Sequence, residues 1–362
     1  MRIGVLGAGQ LGRMLALAGY PLGLEFTFLD PAEDSCAAAL GERLLAGYDD
    51  EAALARLCAS CDVATYEFEN VPARTAAFVA DRLPLHPGPR ALEVAQDRLN
   101  EKRLFDSLGI PVPRYVPVAA RQALDFAVAA TGYPAAVKTR RMGYDGKGQA
   151  VLRSAADLDP AWQRLGGQPL IVEAFVPFER ELSCLAVRAR DGEMRFYPVI
   201  ENQHRDGILR LSIPRAGDPL QAEAEGHARA VAERLDYVGV LAFEFFVVDS
   251  RLLANEIAPR VHNSGHWSIE GAVCSQFENH LRAVAGLPLG STRLRGHSAM
   301  VNLIGRVPPM HELSAIADVH VHAYGKAPKP LRKVGHATIT AGGEAELRRQ
   351  LAQLQSLASA VD

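Results

Sequence analysis

Phe243-Glu-Phe-Phe-Val-Val-Asp-Ser-Arg-Leu-Leu-Ala-Asn-Glu-Ile-Ala-Pro-Arg-Val-His-Asn-Ser-Gly-His266 contains two β-branched and aromatic runs joined by a polar turn at Asp249 to Arg251, with one acid in each run, Glu244 and Glu256. A three-residue loop centred on Ser250 sets the two glutamates directly opposite each other on one face. Period-2 alternation then puts Ala242, Ala254 and Ala258 beside them, and Phe243, Phe245, Val247, Leu253 and Ile257 on a core face. Two facing carboxylates repel unless a cation lies between them, and hard oxygen donors with spare volume suit Mg²⁺ shared with substrate phosphates. Two alternatives stand beside this reading: an ordinary ion pair of either acid with an arginine, and a two-residue turn, which sends the acids to opposite faces.

Working outward to the amino terminus, Arg2 to Leu6 is a short apolar strand, Gly7-Ala-Gly-Gln-Leu-Gly12 follows it, and a helical pattern continues to Gly19. This is the setting of a dinucleotide fingerprint, and Asp30, closing a strand from Glu25, has the offset of a ribose ligand. The glycine turn itself encodes only close backbone approach and a helix amino terminus, which serve any phosphate or small anion. Asp62 to Thr65 forms a further strand, so Glu67 and Glu69 stand at the ligand edge of an open α/β sheet, or else cap the helix that begins near Pro72.

In the middle of the chain, Asp97 to Leu108 is a helix whose Arg98, Lys102 and Arg103 are expected on a solvated face. A strand at Arg114 to Val118, a helix at Ala120 to Thr131 and a strand at Ala135 to Lys138 lead into a loop with Gly143, Gly146 and Gly148 and the cations Arg140, Arg141 and Lys147. Such a loop is suited to fold over polyphosphate, although it lacks the Walker pattern. Leu170 to Glu173 opens into Ala174-Phe-Val-Pro177, a linker that offers backbone polar groups to an adenine edge. His262 and His266 have the spacing of a helical zinc pair, but Asn263-Ser-Gly between them reads as a loop and no third ligand is evident, so zinc is not expected.

The 39 basic against 42 acidic residues give a net charge of −3 without basic clustering, which supplies no drive toward nucleic acid or anionic membrane. No uncharged run approaches the ~20 apolar residues of a membrane span. Five cysteines, an odd number, point to free thiols and a cytoplasmic location, with Cys58 and Cys61 structural.

Taken together, Lys138, the Gly143 to Gln149 loop, the Glu173 to Val176 hinge, Glu181, Glu244 and Asn255-Glu256 resemble the ATP-grasp superfamily. More narrowly, residues 9 to 14, 66 to 72, 143 to 149, 255 to 260, 262 to 266 and 332 to 336 are similar to the N5-carboxyaminoimidazole ribonucleotide synthetase family. The resemblance implies an α/β chain, α+β in part, with an ATP-grasp fold. A Rossmann-like domain would span 1–92, the ATP-grasp domain 93–290 with a lid at about 114–174, and a small β-rich C-terminal domain with a terminal helix 291–362. It further implies that ATP phosphorylates bicarbonate to carboxyphosphate, which carboxylates 5-aminoimidazole ribonucleotide, in a homodimer.

By the same resemblance ATP would meet Arg98, Lys138, Glu181, His204, Asn255 and Glu256, the loop residues Gly143, Tyr144, Asp145, Gly146, Lys147, Gly148 and Gln149, and the hinge Glu173, Ala174, Phe175 and Val176. Mg²⁺ would sit on Glu244 and Glu256. Arg260 would face bicarbonate, Tyr144 and Asp145 would remove the amine proton and shield carboxyphosphate, and Lys326, Arg332, Lys333, Asn263, Glu67, Gln10 and Leu11 would hold the ribonucleotide, with Lys326 also catalytic. Val261 stands where the family usually has proline, and Met142 where it has glycine. A formate-dependent glycinamide ribonucleotide transformylase or a biotin carboxylase-like enzyme is the alternative within this fold. A nicotinamide-dependent dehydrogenase or a nucleotide sensor would rest on the glycine turn and Asp30.

Overall fold

The computed structural model describes residues 1–143 and 146–360, so Tyr144 and Asp145 lie outside the described residues. The hairpin strands run Gly239–Val248 and Arg251–Ala258, and the loop between them has two residues rather than three. Asp249 and Ser250 both take positive φ, 48° and 58°, the geometry of a tight turn whose twist matches the strands. That turn pairs Val248 with Arg251 and Phe245 with Ala254; continued unchanged, it would set Glu244 against Asn255. A bulge at Asn255 shifts the register by one, and Glu244 faces Glu256 after all. The shift exchanges two expected positions: Ala254 packs in the core with Phe245 and Val247, and Leu253 turns to the side of the acids.

The hairpin forms one edge of a nine-stranded sheet. Beside it lie Arg180–Arg188, Ile200–Arg205 and Ile208–Pro214, and the strands His297–Ile304, Lys333–Ala341 and Val319–Ala323 extend the same sheet. The Arg180–Arg188 strand shows no period-2 pattern because it is covered on both faces, by the helix Gln221–Arg234 on one and the helix Gln276–Ala285 on the other. The amino-terminal unit is a parallel sheet in the order Glu42–Leu45, Glu25–Asp30, Arg2–Leu6, Val63–Tyr66. A third, antiparallel sheet is ordered Tyr115–Val118, Leu170–Ala174, Ala135–Thr139, Gln149–Leu152.

The helix Arg98–Ser107 binds these parts together; of its three cations Arg103 is on the solvated face expected, whereas Lys102 is buried and Arg98 half-buried. Glu101 and Lys102 are only 2% and 0% exposed. Glu101 accepts the Ile257 N–H at 2.7 Å, while the Lys102 ammonium donates to the carbonyls of Ala254 and Asn255 at 3.1 and 2.8 Å. Phe105, fully buried, stacks on Phe243 at 4.9 Å between ring centres. From the third sheet Glu173 enters the same place, 2.9 Å from Lys138 Nζ and 3.9 Å from Lys102 Nζ. Burial works to raise the Glu173 carboxyl, but Lys102, Lys138 and Arg98 outweigh it and hold the group down at about 2.

Phe105→Ala, which empties a buried aromatic site, is expected to cost about 3–5 kcal/mol of stability in denaturant unfolding. A carboxylate held below its ordinary value of 4.5 stabilises the fold above that value and loses the contribution as pH falls toward 2. Glu173→Gln is therefore expected to lower the thermal midpoint at pH 7, by the equivalent of about 3 kcal/mol or more. The gap to the wild type should narrow between pH 5 and pH 3.

Candidate active site

The edge of the parallel sheet, the hairpin and the basic loop at 326–333 enclose a cavity of about 960 Å³. At its amino-terminal wall the glycine turn is already occupied by the protein. Glu67 accepts the N–H groups of Gly9 and Gly12 at 2.8 and 3.2 Å, and Asp30 accepts those of Ala8 and Ala32, both at 2.7 Å. A Cβ on Gly7 or Gly9 would lie 2.7 or 2.8 Å from the Glu67 carboxylate, so the glycines admit this side chain. Neither Asp30 as a ribose ligand nor the fingerprint as a dinucleotide site survives this geometry. Glu67 also does not cap the helix after Pro72, as one expectation had it; it sits on the amino terminus of the helix Gln10–Gly19, its carboxyl pushed up by burial.

Glu69, the other acid at that sheet edge, pairs with Arg260. Burial opposes ionisation of Glu69, but Arg260 prevails and brings the carboxyl below its ordinary range. The Arg260 guanidinium also donates to Val261 O at 3.0 Å, which fixes its plane at the cavity wall. Val261 packs in the core, and the backbone after it is pinned by Gln276, which accepts the His262 N–H at 2.9 Å and donates to the His262 carbonyl at 2.6 Å. These bonds supply the restraint that a proline would have given. Met142 takes φ +61°, a conformation that glycine adopts freely, and its side chain is exposed.

The expected ribonucleotide residues converge here. Gln10, Leu11, Glu67 and Asn263 line the cavity, and so do Lys326, Arg332 and Lys333 across from them. Lys326 Nζ donates to Gln10 Oε1 at 2.5 Å, and burial lowers its pKa. Asn263 is held by Asn302 at 3.0 Å. Of the expected ATP residues, Arg98, Gly143, Gly146, Lys147 and Glu256 also face this cavity. Lys138, Gly148, Gln149, Asn255, Glu181, His204 and the hinge from Glu173 to Val176 do not line it.

Among those outside it, His204 Nδ1 lies 2.8 Å from Glu181, and burial of the imidazole is outweighed by Glu181 and Glu244, so its pKa is raised. The hinge N–H groups of Ala174 and Phe175 already bond Arg114 O and Pro134 O, which withdraws two of the donors expected to meet adenine. Arg140 is likewise not a free cation of the glycine loop: it binds Asp97 with two N–H groups at 2.9 and 2.7 Å, and Arg141 joins at 3.3 Å. Asp97 also caps the helix through Leu99 N–H, a role legible in its position before that helix.

At the hairpin, Glu256 accepts from Arg98 at 2.8 Å, so one of the two acids has the arginine partner that the sequence left open. Burial opposes its ionisation, but Arg98 keeps its carboxyl below the ordinary range. Glu244 is raised, by burial first and by Glu256, and His262 Nε2 lies 3.7 Å away. His262 is tied by Ser264 to Ser183, Asn202 and Ser212, a buried hydroxyl and amide chain that crosses three strands. No group of three or more His, Cys, Asp or Glu side chains converges among the described residues, so a cation on Glu244 and Glu256 would complete its shell with other oxygens, from water, backbone or substrate phosphates.

Three family models match the chain: an ATP-grasp domain at residues 103–277, a ribonucleotide synthetase preATP-grasp domain at 1–96, and a phosphoribosylaminoimidazole carboxylase C-terminal domain at 298–350. The chain is 58% identical over 360 residues to N5-carboxyaminoimidazole ribonucleotide synthase of Pseudomonas aeruginosa, covering 99% of this chain and 100% of that one. Its fold superposes with a TM-score of 0.94 on the crystal structure of the synthetase from Thermus thermophilus, at 55% identity over 98% of both chains. The Aspergillus clavatus synthase, solved in complex with ADP and 5-aminoimidazole ribonucleotide, matches with a TM-score of 0.91 and 31% identity over 99% of both chains. With an ATP-grasp fold behind an amino-terminal parallel sheet and this identity along nearly its whole length, the chain belongs to the N5-carboxyaminoimidazole ribonucleotide synthase family of ATP-grasp ligases.

Proposed function

We propose that this protein carboxylates 5-aminoimidazole ribonucleotide with bicarbonate at the expense of ATP, releasing ADP and phosphate and forming N5-carboxyaminoimidazole ribonucleotide for purine biosynthesis. The observation that carries this reading is the placement of Arg260: a half-buried guanidinium, oriented by Glu69, stands in one cavity with Glu256 on one side and the Lys326 to Lys333 loop on the other. A fixed planar cation between a phosphoryl donor and a phosphorylated amine is where bicarbonate has to sit.

Phosphoryl transfer needs position and charge neutralisation more than covalent help. Arg98 and Lys138 are held ready by Glu256 and Glu173, and both carry positive charge toward the side where ATP would lie. When bound at Glu244 and Glu256, Mg²⁺ supplies charge neutralisation for the polyphosphate, and carboxylate oxygens suit that hard cation. Arg260 then holds bicarbonate and its phosphorylated form. Lys326, with Arg332 and Lys333, takes the 5′-phosphate end of the ribonucleotide, and Asn263, Glu67, Gln10 and Leu11 close the pocket around it. Tyr144 and Asp145 keep the roles read from the sequence, proton removal and exclusion of water from carboxyphosphate. The five cysteines, free in the structure, suit the cytoplasmic location; the homodimer rests on the family resemblance.

Phosphate release is expected with ATP, bicarbonate and aminoimidazole ribonucleotide together; release that depends on formate and glycinamide ribonucleotide instead would overturn the reading. Glu256→Gln is expected to cut ATP turnover about 10²–10³-fold. Its thermal midpoint is expected to stay within about 4 °C of the wild type.

A further inference from the structure

Lys102 is the buried charge for which the reaction has no use. It is fully buried, does not line the cavity, and sits in a helix whose other long polar residues could have placed it in water. Enclosing an ammonium costs several kcal/mol unless its donors are matched, and a methionine of similar length would fill the space without that cost. Matched donors are what the site provides. The ammonium donates two N–H bonds, to Ala254 O at 3.1 Å and Asn255 O at 2.8 Å, and its charge is offset by the Glu173 carboxylate at an ion-pair distance of 3.9 Å.

The two carbonyls belong to the bulge. Arg251–Ala258 is an edge strand with a single neighbour, so its outer polar groups have no strand to bond. Between 254 and 257 they bond elsewhere: Ala254 N–H to Pro111 O at 2.8 Å, Ile257 N–H to Glu101 at 2.7 Å, and the Ala254 and Asn255 carbonyls to Lys102. The tight turn at Asp249 and Ser250 on its own would pair Glu244 with Asn255. Without the bulge at that residue, Glu256 turns to the opposite face.

We propose that Lys102 is a positioning residue that stabilises the Asn255 bulge and thereby keeps Glu256 opposite Glu244. The inference rests on the reading of those two glutamates as the cation seat. Removing Lys102 leaves two bulge carbonyls without a partner, and the strand relaxes toward the register that the turn alone dictates. Deleting Asn255 removes the extra residue and lets the two-residue turn pair Glu244 with Glu256 in an unbroken ladder. In that chain Lys102 has no bulge to hold.

The test uses five full-length proteins: wild type, Lys102→Met, the Asn255 deletion, the two changes combined, and Glu256→Gln as the check on the cation seat. The readout is Mn²⁺ binding in the presence of ADP, followed by electron paramagnetic resonance, with cation-free ADP binding and thermal midpoints alongside. Lys102→Met is expected to weaken Mn²⁺ binding about tenfold or more in the wild-type background. In the deletion background it should change Mn²⁺ binding less than about twofold. Within each background, Lys102→Met should leave cation-free ADP affinity unchanged, whatever the deletion of Asn255, itself expected to meet ATP, does to that affinity on its own. Equal losses of Mn²⁺ affinity in the two backgrounds, or none in the wild-type background, would overturn the proposal. If Lys102→Met does not fold, folding restored by the deletion supports it, and failure in both backgrounds overturns it. Unchanged Mn²⁺ affinity in Glu256→Gln would instead sink the cation seat, and the proposal with it.

Discussion

The register of one hairpin governs this molecule. Two acids that a tight turn would send to opposite faces are brought together by one extra residue at Asn255, and the helix Arg98–Ser107 bonds the strand edge where that residue breaks the ladder. The same helix stacks Phe105 on Phe243 beneath the acids and presents Arg98 to Glu256 above them. Backbone register, core packing and charge placement are thus a single arrangement, and a change in one is felt in the others.

The second constraint is electrostatic. Charges alternate in sign from the half-buried Glu69 and Arg260 through Glu256, whose side chain is 40% exposed, to Arg98, and on to the buried Glu173 with Lys102 and Lys138. Each group is costly alone and tolerable in the chain. The arrangement holds cations at fixed positions around a cavity suited to anions, and it does so before any substrate enters. Preorganised charge of this kind costs no reorganisation at the moment of reaction. Glu67 shows the same economy at the glycine turn, where the protein supplies its own anion to a helix amino terminus that a cofactor phosphate would otherwise take.

Much of this was legible in the sequence, because it depends on local pattern. Strand alternation marked the hairpin and its acids, glycine spacing marked the turn and the loop, and the motif series from Gln10 to His336 identified the family. The facing of Glu244 and Glu256 was expected from a three-residue loop and arises from a two-residue turn plus a bulge, since nothing in Asn255 itself announces an unpaired residue. Periodicity assigns Lys102 to a solvated face because its partners are backbone carbonyls 152 and 153 residues away, which no local pattern records. The Arg180–Arg188 strand escaped for the opposite reason: burial on both faces erases alternation. Glu69 and Arg260 each drew attention separately, but their contact joins two sheets and is set by tertiary packing alone.

Diffraction from crystals grown with ADP and Mn²⁺ tests the central claim most directly. The anomalous signal is expected to place one manganese ion in direct coordination with carboxylate oxygens from both Glu244 and Glu256, with the Arg98 guanidinium moved off Glu256 toward the nucleotide phosphates. A manganese ion seated away from both glutamates, with Glu256 still bonded to Arg98, would contradict the account.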